Sequence, residues 1–128
     1  MTKIGQKKQT RTSRIKALDK MFSQYIRWRA GHKCEYCGKS PQRLDCHHGV
    51  THRRYLNTRF EHDNAICVCV GCHWFLHDFP RINMEFFTKR IGSDRIEQLE
   101  ILARSGQKAD LDVAEQDLKK KLEGINEC

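Results

Sequence analysis

The sequence predicts an α+β fold: a small module of strand, loop, strand and helix, with one helix before it and further helices after it. Three observations lead there. Two Cys-x-x-Cys pairs, Cys34/Cys37 and Cys69/Cys72, are separated by 31 residues. Two short β-prone runs, Leu44–His48 and Ala65–Cys69, follow the first pair and lead into the second. On either side, apolar residues recur at three- and four-residue spacing, the period of an amphipathic helix. A chain of 128 residues, 38% of them hydrophobic, is about one domain with a modest core. Four thiolates gathered on one tetrahedral zinc would add stability and tie together segments far apart in the chain.

Taken in order, residues 1–12 are basic, lack acidic residues and show no periodicity, which predicts a flexible arm. Ser13 is a candidate N-cap for a helix from Arg14 to Ala30, with Ile15, Leu18, Phe22, Tyr25 and Arg29 at helical spacing and Gly31 at its end. Cys34 to Gly38 reads as a tight knuckle, with Gly38 where a turn often needs positive φ. Leu44–His48 is the first strand. Gly49 to Asp63 is a polar loop long enough to suggest function or mobility. Ala65–Cys69 is the second strand, and Gly71-Cys72 opens a helix that carries His73 and His77 and ends before Pro80. Helices are expected over Met84–Ile91 and Ser93–Ala103, broken at Gly92. After Ser105-Gly106, Asp110 can cap a last helix with Leu111, Ala114, Leu118, Leu122 and Ile125 on one stripe. That stripe either folds back on the first helix or pairs with a second copy.

Charge narrows the class of partner. The net charge is +8, but residues 1–59 hold 15 Lys and Arg against 3 Asp and Glu, and the remainder is acidic. A basic half of this kind suits a polyanion, because each neutralised phosphate releases condensed counterions. Arg14 and Lys16 beside the arm, and Arg53, Arg54 and Arg59 in the loop, are the candidate contacts to a nucleic-acid backbone. The residues after Met1 are polar and basic (Lys3, Lys7, Lys8, Arg11), not the apolar stretch of a secretory leader, and no run reaches the length of a membrane span. The expectation is therefore a soluble, cytoplasmic protein with no membrane partner. In that reducing setting the thiols are free for metal, and Cys128 is a free terminal thiol.

Cys34, Cys37, Cys69 and Cys72 form the most economical zinc set; Cys46 and Cys67 compete for it and are assigned to the core. His73 and His77, four apart on a helix, share one face and can bind one ion. His47 and His48 are neighbours on a strand and so point to opposite faces. One can ligate a metal while the other approaches a substrate. The aromatics Tyr55, Trp74 and Phe75 are either packing residues or platforms for exposed bases.

This order of residues, Cys-x-x-Cys, His47-His48, Asn64, then Cys69-x-x-Cys72-His73 and His77, resembles the HNH endonucleases of the ββα-metal fold, in the branch with an added four-cysteine zinc site. The stretch LDKMFSQYIRWRAGHKCEYCGK, the Thr58-Arg59-Phe60 loop, Asn64 and CVCVGCH are similar to phage recombination nucleases of the NinG/Rap type, a likeness that runs from about Leu18 to Gly106. That group often has a small residue where His47 stands. The resemblance implies a nuclease domain over 13–106 and a C-terminal helix over 107–128 for packing or dimerisation. It implies that His48 is the general base, that Asn64 orients it, and that His47, His73 and His77 bind a catalytic Mg2+ or Mn2+. Arg59, with Arg53 and Arg54, would supply the positive charge that a one-metal nuclease needs. The implied activity is hydrolysis of DNA, expected to be branched or a recombination intermediate, inside a bacterial host cell, leaving 5′-phosphate and 3′-hydroxyl ends. The rival readings are a non-catalytic zinc-knuckle DNA-binding protein and a generic HNH nuclease that nicks duplexes or serves packaging.

Overall fold

A computed structural model describes residues 9–126. Most of the expected basic arm, and Cys128, lie outside the described residues. Among the described residues the fold is α+β and mostly helical, with one two-stranded antiparallel sheet.

Helix α1 spans Arg11–Arg29 and begins one turn earlier than Ser13 would place it. Thr10 is the cap: its backbone is extended and its hydroxyl accepts the Ser13 N–H at 3.0 Å. Leu18, Phe22 and Ile26, each four residues on, form the buried stripe. The helix closes at Ala30, and Gly31 and His32 both take positive φ, which turns the chain sharply toward the knuckle. Gly38 also has positive φ, at 82°, directly after Cys37.

Strands β1 (Leu44–His48) and β2 (Ala65–Cys69) pair with Leu44 opposite Cys69 and His48 opposite Ala65. β2 is buried along four of its five residues, as expected of a run of small and branched apolar side chains covered on both faces. On one face His48 stacks on Phe22 of α1, ring centroids 5.6 Å apart. On the other, His47 meets His73 and His77 of α3 (Val70–Asp78) and Asn83 of α4 (Pro80–Ile91).

The Gly49 to Asp63 segment is more ordered than a plain polar loop. It contains α2 (Leu56–Arg59) and leads into a 3-10 turn at His62–Asn64. A small polar core holds it: the Asn64 amide donates to the Thr51 hydroxyl at 3.0 Å and the Thr58 carbonyl at 3.1 Å, while Oδ1 accepts the Thr51 N–H at 2.8 Å. Thr58 and Asn64 have no exposed surface. Helix α4 starts at Pro80, four residues before Met84, because proline is favoured at the first helical position. Gly92, at φ 86°, separates it from α5 (Ser93–Arg104).

Helix α6 (Leu111–Asn126) is capped by Asp110, whose carboxylate accepts the Asp112 and Val113 N–H groups at 3.1 Å. It folds back on α1 of the same chain: Leu111 and Leu118 join the core, Arg14 pairs with Asp112 and Glu115, and the Lys121 ammonium sits 4.9 Å from the Tyr25 ring centre. Among the described residues no helix is long and apolar enough to cross a membrane.

Candidate functional site

The four cysteines converge because the sheet register returns Cys69 to the start of β1, next to the knuckle. Glu35 fastens the knuckle to β2, with its N–H donating to the Cys67 carbonyl and its carboxylate accepting the Cys67 N–H, both at 2.8 Å. The sulfurs of Cys34, Cys37, Cys69 and Cys72 all lie within 4.8 Å of one another, and Cys37 Sγ is 3.8 Å from Cys69 Sγ. Zinc–sulfur bonds of about 2.3 Å in a tetrahedron require sulfurs about 3.8 Å apart, so this cluster can hold a zinc ion. Backbone N–H groups of Cys37 and Cys72 point at Cys34 and Cys69 Sγ, each at 3.4 Å. Burial raises the Cys34 thiol, but such N–H donors outweigh it and bring it down to about 6. Cys46 and Cys67 face each other across the strands, outside the cluster. Burial pushes them up to about 12 and about 11, so they stay protonated thiols.

A second cluster lies on the α3 face of the sheet. The rings of His47, His73 and His77 have centroids 4.9 to 5.1 Å apart, with one nitrogen of each within 4.8 Å of the others. The other nitrogens decide what these can bind. Asn83 Nδ2 donates to the Gly49 carbonyl at 2.8 Å, which turns its Oδ1 toward His47; His47 Nε2–H donates to that oxygen at 2.7 Å. Nδ1 of His47 is therefore a bare acceptor, buried and without a partner. A buried polar atom so left calls for a ligand, and a cation is the one that a bare imidazole nitrogen on a ring beside two further imidazoles would take. Burial lowers His47 to about 4, which keeps it neutral. His73 Nδ1–H donates to Asp45 Oδ2 at 2.9 Å, leaving Nε2 free in the carboxylate–histidine arrangement typical of metal ligands. Burial raises Asp45, but the His73 hydrogen bond and Arg43 outweigh it, and the carboxyl is held below its usual range.

His48 points the opposite way. Its Nε2–H donates to the Arg59 carbonyl at 2.9 Å, so Nδ1 carries the lone pair. Burial lowers its pKa to about 4, and the nearby cations Arg53 and Arg59 act in the same direction. The ring is neutral at pH 7, a proton acceptor. The Asn64 side chain makes its hydrogen bonds to Val50, Thr51 and Thr58, not to the ring. Instead Asn64 fixes both supports of the ring: its backbone carbonyl accepts the Gly49 N–H at 3.0 Å, just past His48, and its amide holds Thr58, one residue before Arg59.

His48, His73 and His77 open onto one groove of about 530 Å³. Its walls include Asp19, Ser23 and Arg27 of α1, Arg43 before β1, His52 and Arg53 of the loop, and Trp74 of α3. The sequence-predicted cations are distributed unevenly around it. Arg59 is bound bidentately to Asp19 at 2.8 and 2.5 Å with its side chain 15% exposed, so its carbonyl and not its guanidinium meets His48. Arg53 is more open and reaches Asp19 at 3.1 Å. Arg54 lies over the Tyr55 ring, outside the groove, and Arg14 is engaged by α6. Lys16 is exposed on α1, on the same helical stripe as Lys20, Ser23 and Arg27.

Sequence reasoning missed Asp45, Asn83, Asp19, Arg27 and Arg43. Only Arg43 and Asp45 carried a usable signal, their closeness to the histidine strand; Asn83 is 36 residues from the ring that it orients. Compared with protein-family models, with curated proteins and with solved structures, the chain matches none.

Proposed function

We propose that this chain is a metal-dependent DNA endonuclease of the HNH type, with β1, β2 and α3 as its ββα-metal core. Cys34, Cys37, Cys69 and Cys72 would hold a structural zinc, and His47, His73 and His77 a catalytic divalent ion. The observation that carries the proposal is that a neutral, oriented imidazole with a bare nitrogen, His48, opens onto the same groove as two imidazoles of a three-histidine cluster, under a rim of arginines.

In the reaction His48 Nδ1 takes a proton from a water molecule as the water oxygen bonds to phosphorus. The bond from phosphorus to the 3′ oxygen breaks, its electron pair leaves on that oxygen, and solvent protonates it. The products carry 5′-phosphate and 3′-hydroxyl ends. A bound divalent ion would stabilise charge on the phosphate and on the departing oxygen. Three imidazoles count against Mg2+, which demands oxygen ligands, and of the two expected ions leave Mn2+. Arg27, Arg43 and Arg53 hold the phosphate backbone, and Arg59 contributes through the carbonyl that fixes His48. The likeness to NinG/Rap-type nucleases supports branched or recombination-intermediate DNA as the substrate class.

The test is His48→Ala. Mn2+-dependent cleavage should fall at least about 100-fold, the typical share of a general base, while DNA binding stays within a few-fold of the unmodified chain. Retained cleavage, or binding lost in step with it, rules out the base. Metal analysis separates the enzyme from a non-catalytic zinc-knuckle binder: a tight zinc plus a weaker second ion per chain for the former, one ion for the latter.

A further inference from the structure

Trp74 is 68% exposed, the most exposed large apolar side chain among the described residues. It follows His73 directly on α3 and lines the same groove as His48 and His77. The other two aromatics with a possible stacking role are occupied: Phe75 packs on Tyr36 and Phe79 at 5.8 and 4.8 Å, and the Tyr55 ring lies under Arg54. Trp74 has no ring partner among the described residues. An indole open to water beside ring nitrogens and arginines suits an occupant that presents a flat π face next to a negative charge.

We infer that Trp74 is a stacking subsite for one unpaired nucleobase adjoining the phosphate that lies against His48. The inference rests on the nuclease reading for the position of that phosphate. It follows from the geometry of stacking: a base inside a duplex has both faces covered by its neighbours, so only a base swung out of the stack or in single-stranded DNA can offer one to the indole. Arg27, Arg43 and Arg53 grip the flanking backbone, and the aromatic wall makes the groove select an opened strand over a closed one. Between a nucleic acid and a protein the groove favours the first, because Arg27, Arg43 and Arg53 line it together with Trp74, alongside Asp19, Asp45, Phe22 and Leu44.

The chain contains two tryptophans, so Trp28→Phe leaves Trp74 as the only indole reporter. Without added divalent ion, single-stranded oligodeoxythymidine should quench Trp74 emission saturably, and a closed hairpin duplex of equal length should not. In the Trp28-containing chain, Trp74→Ala should weaken single-strand binding about 10-fold or more and leave duplex binding unchanged, while Trp74→Phe retains most of it. Absence of quenching, or equal losses on the two DNAs, overturns the stacking subsite. Mn2+-dependent cleavage of the same DNAs, run in parallel, keeps the two proposals apart. Quenching without any cleavage supports the subsite and removes the nuclease, and cleavage without quenching does the reverse. A chain that binds neither DNA loses both.

Discussion

At the scale of single residues, what each histidine can do is set by whatever holds its second nitrogen. Asn83 commits His47 to the tautomer with a bare Nδ1, and Asp45 does the same for Nε2 of His73. Replacing Asn83 by leucine removes the acceptor and frees the ring. Calorimetric Mn2+ affinity should fall about 10- to 100-fold with the zinc content unchanged; an unchanged Mn2+ affinity would mean that Asn83 does not set the tautomer. His48 yields a pH prediction. Its folded pKa, about 4, lies below the ordinary 6.5, so the unfolded chain binds more protons between those values. The stability that its neutral form contributes is complete above about pH 6.5 and is lost as pH falls toward 4. In urea unfolding, the unmodified chain should lose more stability than His48→Gln between pH 7.5 and 5, and parallel losses would show that the ring is not buried neutral. The candidate ligands and base were legible as side chains in the sequence. Their supports were not, because Asn83 and Asp19 come from distant elements and the group that Arg59 offers His48 is a backbone carbonyl, which no residue name reveals.

At the scale of elements, both strands were legible to the residue: Ala65–Cys69 as an apolar run with Ile66 and Val68, and Leu44–His48 as the short stretch that leads from the knuckle into the histidines. The loop was not. A stretch of Thr, Arg and His reads as polar and open, yet Thr51, Thr58 and Asn64 satisfy one another in the interior and turn it into a rigid bracket for His48. The bracket meets α4 at Gly49. A methyl group there would fall 1.9 Å from the Phe87 ring, so Gly49→Ala must displace the ring or the strand end. Overpacking of this kind costs about 1–3 kcal/mol, and urea denaturation should show it, with part of the loss restored by Phe87→Leu. If Gly49→Ala is neutral and the double variant is no better, the contact between the strand end and α4 is not what fixes the site.

At the scale of the whole molecule, the cysteine cluster joins segments that lie far apart in the chain. The knuckle is short and has no secondary structure of its own; it is held by the sulfur cluster and by Glu35, whose carboxylate reaches Arg29 of α1, Arg90 of α4 and the backbone of β2. Removal of a metal from the cysteines would therefore free the knuckle and loosen its ties to β2 and α3, while the buried stripe of α1 stays packed on the sheet. The imidazole cluster is different: His77 is exposed and the groove is open, so an ion there has an exit that leaves the fold intact. Metal should come off in two stages. A weak chelator should remove the imidazole-bound ion and abolish cleavage, with the circular dichroism and melting temperature nearly unchanged and activity restored by added Mn2+. A strong zinc chelator should then lower the melting temperature by at least about 10 °C, because structural zinc adds several kcal/mol to a domain of this size. Cys69→Ser should mimic the second stage, with the same fall in melting temperature. If the helices melt as soon as the weak chelator acts, the histidine cluster is part of the scaffold. If the strong chelator leaves the fold untouched, the cysteines are not what joins the knuckle to the sheet, and His48 owes its position to the Thr51–Thr58–Asn64 bracket, the strand pairing and Phe22.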